Sequence, residues 1–372
     1  MKKLSLLLLS CLVCRGETMS QPERVQTPKR PYEYCEEEVT YKNNNSNVSL
    51  SGTLTLPSAE GKFSAVVLIS GMGPNDRDYT MLGHKLFLVM ADYLTRQGLA
   101  VLRFDKRGVG KSTGKFDLTL TSEDFANDVL AGVEYLKTRK EIDAKKLGLV
   151  GHSEGAIIAS MVALKSKDIA FLVLMAGAAS TSIERNIEHV SMQLRADGAS
   201  DEMITLDRKI RKQILTAVKE EKNHDVAEKK MREVIEQYLK NLSASLKLET
   251  EKLPFAISEA NYENTINMLN SPWYRYFLSY EPVVTLEKIK IPVLAINGDL
   301  DFITSSKIAL PIISQALKKA GNKDYEIVEL KKQNHWFQNC KTGAMAEYGE
   351  IEETISQTVL KMISDWILKR TK

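Results

Sequence analysis

The sequence predicts an α/β fold: a mostly parallel sheet with helices on both faces, an N-terminal antiparallel hairpin and a helical insertion late in the chain. Three observations carry this. Continuous apolar runs of strand length recur at 65–70 (AVVLIS), 99–104, 147–150, 169–175 and 291–296, the pattern of strands buried on both faces. Segments of helical period, 81–97, 122–138 and 153–164, alternate with the earlier runs, as connections between parallel strands require. The stretch LGLVGHSEGAIIAS then joins an apolar strand to a small-residue helix through Gly151-His152-Ser153-Glu154-Gly155.

Composition sets the class. At 372 residues, 43% hydrophobic and 27% charged, the chain can bury a sizeable core. A formal net charge of +3 is nearly neutral for this length, which gives no case for nucleic acid or an anionic membrane as partner.

The N-terminus reads as an export signal. Met1-Lys2-Lys3 precedes an apolar run, 4–13, too short to span a bilayer, and Cys14-Arg15-Gly16 puts small residues where a signal peptidase inspects. Residues 1–16 are thus expected to be a signal peptide, with lipid anchoring at Cys11 the lesser alternative. Finding intact Met1 on protein isolated from cytoplasm would sink both. Residues 17–34, polar and proline-bearing, are expected to form a flexible leader. Of four cysteines, Cys35 and Cys340 lie beyond this region; two separate thiols are the default, since spacing cannot place them within bridging distance.

The remaining elements follow in order. Residues 37–41 and 48–56 alternate like strands around Asn43-Asn44-Asn45-Ser46-Asn47, a turn signal that predicts the hairpin. The core is expected over 35–177 and 282–372, with 325–330 as last strand and a helix over about 351–368. Between these parts, 178–281 carries no strand-like run and reads as amphipathic Lys/Glu-rich helices, including 204–219 and 226–242. It leaves the sheet at the carboxyl end of a strand, where α/β sheets bind ligands, and is expected to be a lid.

The strand–turn–helix around Ser153 suits a nucleophile, because flanking glycines allow a tight turn that holds the hydroxyl out at the sheet's edge. A nucleophilic serine needs a base, an acid and oxyanion donors. Among five histidines, His152 sits inside the turn and would point away, His84 would open a surface helix, and His189 and His224 lie in the insertion. His335, in a loop after the last strand, is left as the base. The acid should follow the preceding strand, which ends in Asn297-Gly298-Asp299-Leu300-Asp301; Asp301 is preferred and Asp299 is the reserve. The backbone N–H groups of Met72, in the glycine loop after 65–70, and of Glu154 are expected to form the oxyanion hole.

Other motifs fail on context. Gly108-Val109-Gly110-Lys111-Ser112 looks like the tail of a phosphate-binding loop, but its first glycine position is Asp105 and no helix pattern follows. Gly71-Met72-Gly73 starts a dinucleotide fingerprint that Pro74 interrupts. No Cys/His cluster has metal-ligand spacing, so neither cofactor nor metal is expected.

Taken together, SGMGPNDRD, RFDKRGVGKSTG, GHSEGA, SPWYRYFL, INGDLD and NHWFQ resemble exported bacterial carboxylesterases of the α/β-hydrolase superfamily, over about residues 41–366 and less so in the insertion. The resemblance implies the α/β-hydrolase fold, hydrolysis of a small-molecule ester with Ser153 as nucleophile, Asp301 as acid and His335 as base, and a structural role for Arg103, Asp105 and Arg107 beside the site. Related serine aminopeptidases share the elbow, so amide substrates stay open, as does a non-catalytic binding protein on the same scaffold. An imidazole base predicts activity rising through about pH 6 to 7. Acyl preference and oligomeric state are not encoded legibly.

Overall fold

The computed structural model describes residues 24–372; the expected signal peptide, with Cys11 and Cys14, lies outside them. Two compact units emerge. Thr181–Glu281 with Ala344–Ala346 form one, and the remaining described residues form the other.

The larger unit is built on an eight-stranded sheet. In chain order its elements are β1 (Cys35–Asn43), β2 (Val48–Leu56), β3 (Phe63–Ile69), the two-residue strands β4 (Thr80–Met81) and β5 (His84–Lys85), α1 (Leu86–Arg96), β6 (Ala100–Phe104), α2 (Ser122–Lys137), β7 (Ile142–His152), α3 (Glu154–Lys165) and β8 (Ile169–Met175). The sheet order is β1-β2-β6-β3-β7-β8, continued by β9 (Val293–Gly298) and β10 (Tyr325–Leu330). Only β2 runs antiparallel to its neighbours, Val39 facing Gly52 on one side and Leu102 facing Leu54 on the other. All other pairings in this sheet are parallel, and β4 and β5 form a separate antiparallel pair. The expected mostly parallel sheet with an N-terminal hairpin is therefore what the chain forms.

The central strands are buried along most of their length, as their unbroken apolar runs require: Val66, Leu149, Val173 and Leu294 are 0% exposed. Capping fixes where helices start. Thr121 and Asp124 form a reciprocal capping box at α2, which satisfies two otherwise orphaned donors. Helix α3 is apolar on nearly every face and buried from Glu154 to Val162, so it packs inside the unit.

Strand order also locates the site. From β3 the chain moves to one side, to β6, and then crosses to the other side, to β7. Ligands in open α/β sheets bind where connections diverge in this way, outside the carboxyl ends of the strands. Those ends are Ile69, paired with Gly151, and the residues that follow them, Ser70-Gly71 and His152-Ser153.

The second unit is helical. Its described elements are α4 (Ile183–Ala196), α5 (Asp201–Glu220), α6 (His224–Asn241), α7 (Ala244–Thr250), α8 (Tyr262–Leu269) and α9 (Pro272–Ser279). Ser182, Ser200, Asn223, Ser243 and Ser271 cap α4, α5, α6, α7 and α9 through their side chains, each accepting from the first helical turn. The chain then returns through α10 (Pro282–Leu286), β9, α11 (Ser306–Lys319), β10, α12 (Met345–Tyr348) and α13 (Gln357–Thr371).

Three expectations are corrected. The helix expected at 81–97 begins only at Leu86, because Leu82 and Gly83, both at positive φ (48° and 79°), turn the chain between β4 and β5. His84 is consequently not on a surface helix but 1% exposed. The last helix starts at Gln357 rather than 351, because Gln26 captures the backbone it would need. Its Oε1 accepts from the N–H groups of Thr354 and Ile355 (2.5 and 3.0 Å), and its Nε2 donates to the Ile355 carbonyl at 2.9 Å. The same contacts, with Arg24 donating to the carbonyls of Gly349 and Leu82 (2.5 and 3.2 Å), tie down the part of the expected flexible leader that is described.

Candidate active site

The elbow is dictated by two close approaches. A Cβ at Gly151 would lie 2.2 Å from the Gly155 carbonyl oxygen, and one at Gly155 would lie 2.0 Å from that of Ile69. Only glycine lets strand, turn and helix meet there. Ser153 between them takes φ 56°, ψ −122°, a conformation rare for a residue with a side chain and held by its surroundings. Its N–H donates to the Met175 carbonyl at 2.8 Å, and it caps α3, whose first residue is Glu154. The helix N-terminus thus faces the serine, and its partial positive charge favours negative charge there.

His335 and Asp301 come together from different strand ends. The imidazole Nδ1 lies 2.8 Å from Asp301 Oδ2, with the carboxylate side chain 0% and the histidine side chain 6% exposed. Asp301 Oδ1 accepts from the Thr304 N–H at 2.8 Å, so both carboxylate oxygens are bound. A carboxylate on Nδ1 keeps the proton there and leaves Nε2 able to accept. The loop that presents His335 folds on Asn334, whose Oδ1 accepts from the N–H groups of Trp336 and Gln338 (3.0 and 3.1 Å).

His152 links the elbow to this loop. Its ring centroid is 4.8 Å from that of His335, and its Nε2 is 2.8 Å from the His335 carbonyl oxygen. A carbonyl can only accept, so Nε2 carries the proton and Nδ1 accepts from the Tyr79 hydroxyl at 3.2 Å. The Tyr79 oxygen in turn accepts from the Gly71 N–H at 3.1 Å. Burial, followed by the nearby His335, pushes His152 down to about 3, so it stays neutral. Three segments are therefore threaded on one chain of hydrogen bonds. No hydrogen bond from the Ser153 hydroxyl to the His335 ring is formed among the described residues, and such contacts often tighten only when substrate binds.

The glycine loop approaches the serine closely. A Cβ at Gly71 would lie 3.0 Å from the Ser153 Cβ and 2.6 Å from the Tyr79 hydroxyl. Asn75 closes the loop, its Nδ2 donating to the carbonyls of Gly71 and Met72 (2.9 and 3.0 Å). Arg77 anchors its far side. The Arg77 N–H donates to Asp105 Oδ1 and its Nη2 to Oδ2, both at 2.8 Å, which holds the Asp105 carboxyl below its ordinary range against the opposing effect of burial. Arg103 pairs with Asp78 and Glu36, and Arg107 with Asp128. The Arg77–Asp105 and Arg103–Asp78 pairs buttress the loop beside the site, and Arg107–Asp128 ties the turn after β6 to α2.

Tyr79, Asn75 and the buried Lys106 escaped the sequence analysis. For Asn75 a signal existed, since an asparagine after Gly-Met-Gly-Pro is a turn residue able to bond backbone. For the other two none did. Among the described residues no group of His, Cys, Asp and Glu could hold a metal ion, and no helix is long and apolar enough to cross a membrane.

Known proteins match this chain in two ways. A family model described as serine aminopeptidase, S33, matches residues 64–200, which include the glycine loop and the elbow but neither Asp301 nor His335. Esterase EstD of Thermotoga maritima is 39% identical over 118 residues, 32% of this chain; the chain spans only 28% of that relative's length. Among solved structures, an esterase of Pyrococcus furiosus is 17% identical and superposes with a TM-score of 0.53, covering 96% of this chain and all (100%) of its own. The alpha/beta hydrolase GrgF of Penicillium sp. sh18 gives 0.53 at 16% identity, covering 91% of this chain and 99% of its own. Sheet order, elbow and these structural likenesses together give the chain the α/β-hydrolase fold.

Proposed function

We propose that this protein hydrolyses carboxylic esters through an acyl-enzyme intermediate, with Ser153 as nucleophile, His335 as base and Asp301 as the acid that orients it. The observation that carries the reading is the 2.8 Å contact of His335 Nδ1 with the buried Asp301, formed where His152, next to the strained Ser153, bonds the His335 backbone. In the first step His335 Nε2 takes the Ser153 proton as the hydroxyl attacks the ester carbonyl, and Asp301 stabilises the imidazolium that results. The N–H groups of Met72 and Glu154 receive the developing oxyanion. His335 then protonates the leaving alcohol, and water activated by the same imidazole releases the acid. No cofactor enters the scheme.

The test is hydrolysis of p-nitrophenyl esters from short to long acyl chains, with labelling by a fluorophosphonate. Wild-type protein is expected to turn over at least one ester and to take the label at Ser153, and Ser153→Ala to lose roughly 10⁴-fold or more of kcat. Wild-type protein that neither hydrolyses nor labels would make it a binding protein on the scaffold. The match to the serine aminopeptidase model supports a second reading, cleavage of aminoacyl amides by the same residues. Comparing an ester and an amide of one acyl group decides between them; a higher kcat/KM on the amide favours the peptidase.

A further inference from the structure

Lys106 is the only lysine among the buried charged residues described, 4% exposed at the turn after β6. Its ammonium donates to the Gly71 carbonyl oxygen at 2.5 Å and stands 4.7 Å from the centre of the Phe125 ring. Burying an ammonium is costly unless something compensates. Here burial pulls the Lys106 pKa down, while the negative charges of Glu154 and Asp128 oppose it. Glu154, whose negative charge favours the ammonium, is itself buried and accepts from the Ser122 hydroxyl at 2.6 Å.

The Gly71 carbonyl and the Met72 N–H are two ends of one peptide plane. A cation on the oxygen draws density from the amide nitrogen toward the oxygen, leaving the N–H more positive and a stronger donor, the cooperative effect expected along a hydrogen-bonded chain. Asn75 adds a second, neutral donor to the same oxygen at 2.9 Å. The Met72 N–H donates no hydrogen bond among the described residues.

We propose that Lys106 is a positioning residue that polarises the Gly71–Met72 peptide, so that the Met72 N–H binds the oxyanion of the reaction more tightly than an ordinary amide. The inference rests on the esterase reading above. A purely mechanical role is already filled. The Lys106 backbone N–H donates to the Asn75 carbonyl at 3.2 Å, Asn75 itself closes the loop, and Arg77 clamps it to Asp105. What the side chain adds is charge. Because the oxyanion exists in the transition state and not in the bound ester, the effect falls on kcat and spares KM.

The experiment compares wild type with Lys106→Met, which keeps the length of the stem and removes charge and donors, and Lys106→Gln, which keeps a donor without the charge. Three quantities are read: kcat, KM for a p-nitrophenyl ester, and the inhibition constant of a trifluoromethyl ketone, whose serine adduct bears the oxyanion. Loss of a whole oxyanion donor slows catalysis by roughly 10² to 10³; weakening one donor should lower kcat by about 10- to 100-fold. Ketone affinity should fall by a similar factor, with KM within about twofold of wild type. Lys106→Gln is expected to show the same pattern to a lesser degree, and it serves alone should Lys106→Met fail to fold. Ketone affinity equal to wild type in a folded variant overturns the proposal, as does a raised KM with unchanged kcat. Wild-type protein inactive on every ester and unlabelled by fluorophosphonate overturns the esterase reading and this inference with it; active wild type with indifferent variants overturns the inference alone.

Discussion

Asp299 accepts a hydrogen bond from the Lys332 backbone N–H at 2.6 Å. That contact, with the Lys331 ammonium 3.6 Å from its other oxygen, commits this carboxylate to holding the turn after β10. Asp301, two residues on, faces the imidazole. Asp301→Asn is therefore expected to lower kcat by roughly 10³ to 10⁴, because an amide can stabilise the wrong tautomer of His335. Asp299→Asn should leave kcat within a few-fold and cost about 1 kcal/mol of stability. Steady-state kinetics and urea midpoints of the two variants check this.

Two buried histidines set an acid limit on stability. Burial pushes His152 down to about 3 and His84 down to about 4, whereas both titrate near 6.5 in the unfolded chain. Between those values the unfolded state binds more protons, so stability rises with pH. It is complete above about pH 6.5 and is lost as pH falls through about 4 for His84 and about 3 for His152. His84→Asn should flatten that dependence while lowering stability at neutral pH, since Thr354 and Tyr348 lose a partner. Thermal midpoints from pH 4 to pH 8 would show both, and an unchanged slope would contradict it.

The elbow tolerates no methyl group. Gly155→Ala drives a Cβ against the Ile69 carbonyl, where backbone and not a flexible side chain must yield. A loss of about 3 kcal/mol or more is expected, with ester hydrolysis falling alongside it; denaturant unfolding and activity measured together are the check.

Arg107 and Asp128 form a buried two-pronged pair, both nitrogen–oxygen contacts being 2.6 Å. Removing one partner strands the other charge away from water. Asp128→Asn is expected to destabilise by roughly 3 to 5 kcal/mol, whereas Arg107→Met with Asp128→Leu should recover much of that loss. A double-mutant cycle in urea measures the coupling.

The two cysteines described are both unpaired. Burial, then Glu347, raises the Cys340 thiol to about 11, and Cys35 is partly exposed. Iodoacetamide near pH 8 should therefore alkylate Cys35 well before Cys340, because the thiolate is the reactive form. Peptide mapping over time reads the order directly.

How much was legible follows from the range of the interactions. The strand at 169–175 announces itself because burial on both faces demands an unbroken apolar run, and the Gly151–Gly155 turn because its sterics are local. Asp301 and His335 could be proposed from their positions after strands, since strand ends are readable even when side-chain contacts are not. His84 was misplaced because the apolar residues at 81, 82 and 86 continue a helical period through a turn that only the positive φ of Leu82 and Gly83 reveals. The hydrogen bonds from Lys106 to Gly71 and from Tyr79 to His152 join segments 35 and 73 residues apart. No periodicity encodes such pairs; they exist only once the sheet order is set.

The helical insertion interrupts the chain between β8 and β9, yet these strands pair directly, Leu172 with Val293 through Met175 with Ile296. That ladder is a seam: it keeps the flanking strands in register whatever the length of the excursion. Helices can be gained, lost or exchanged at this junction while the strands that carry Ser153 and Asp301 stay at a fixed spacing, so the excursion is free to vary in length without disturbing the frame it leaves and rejoins.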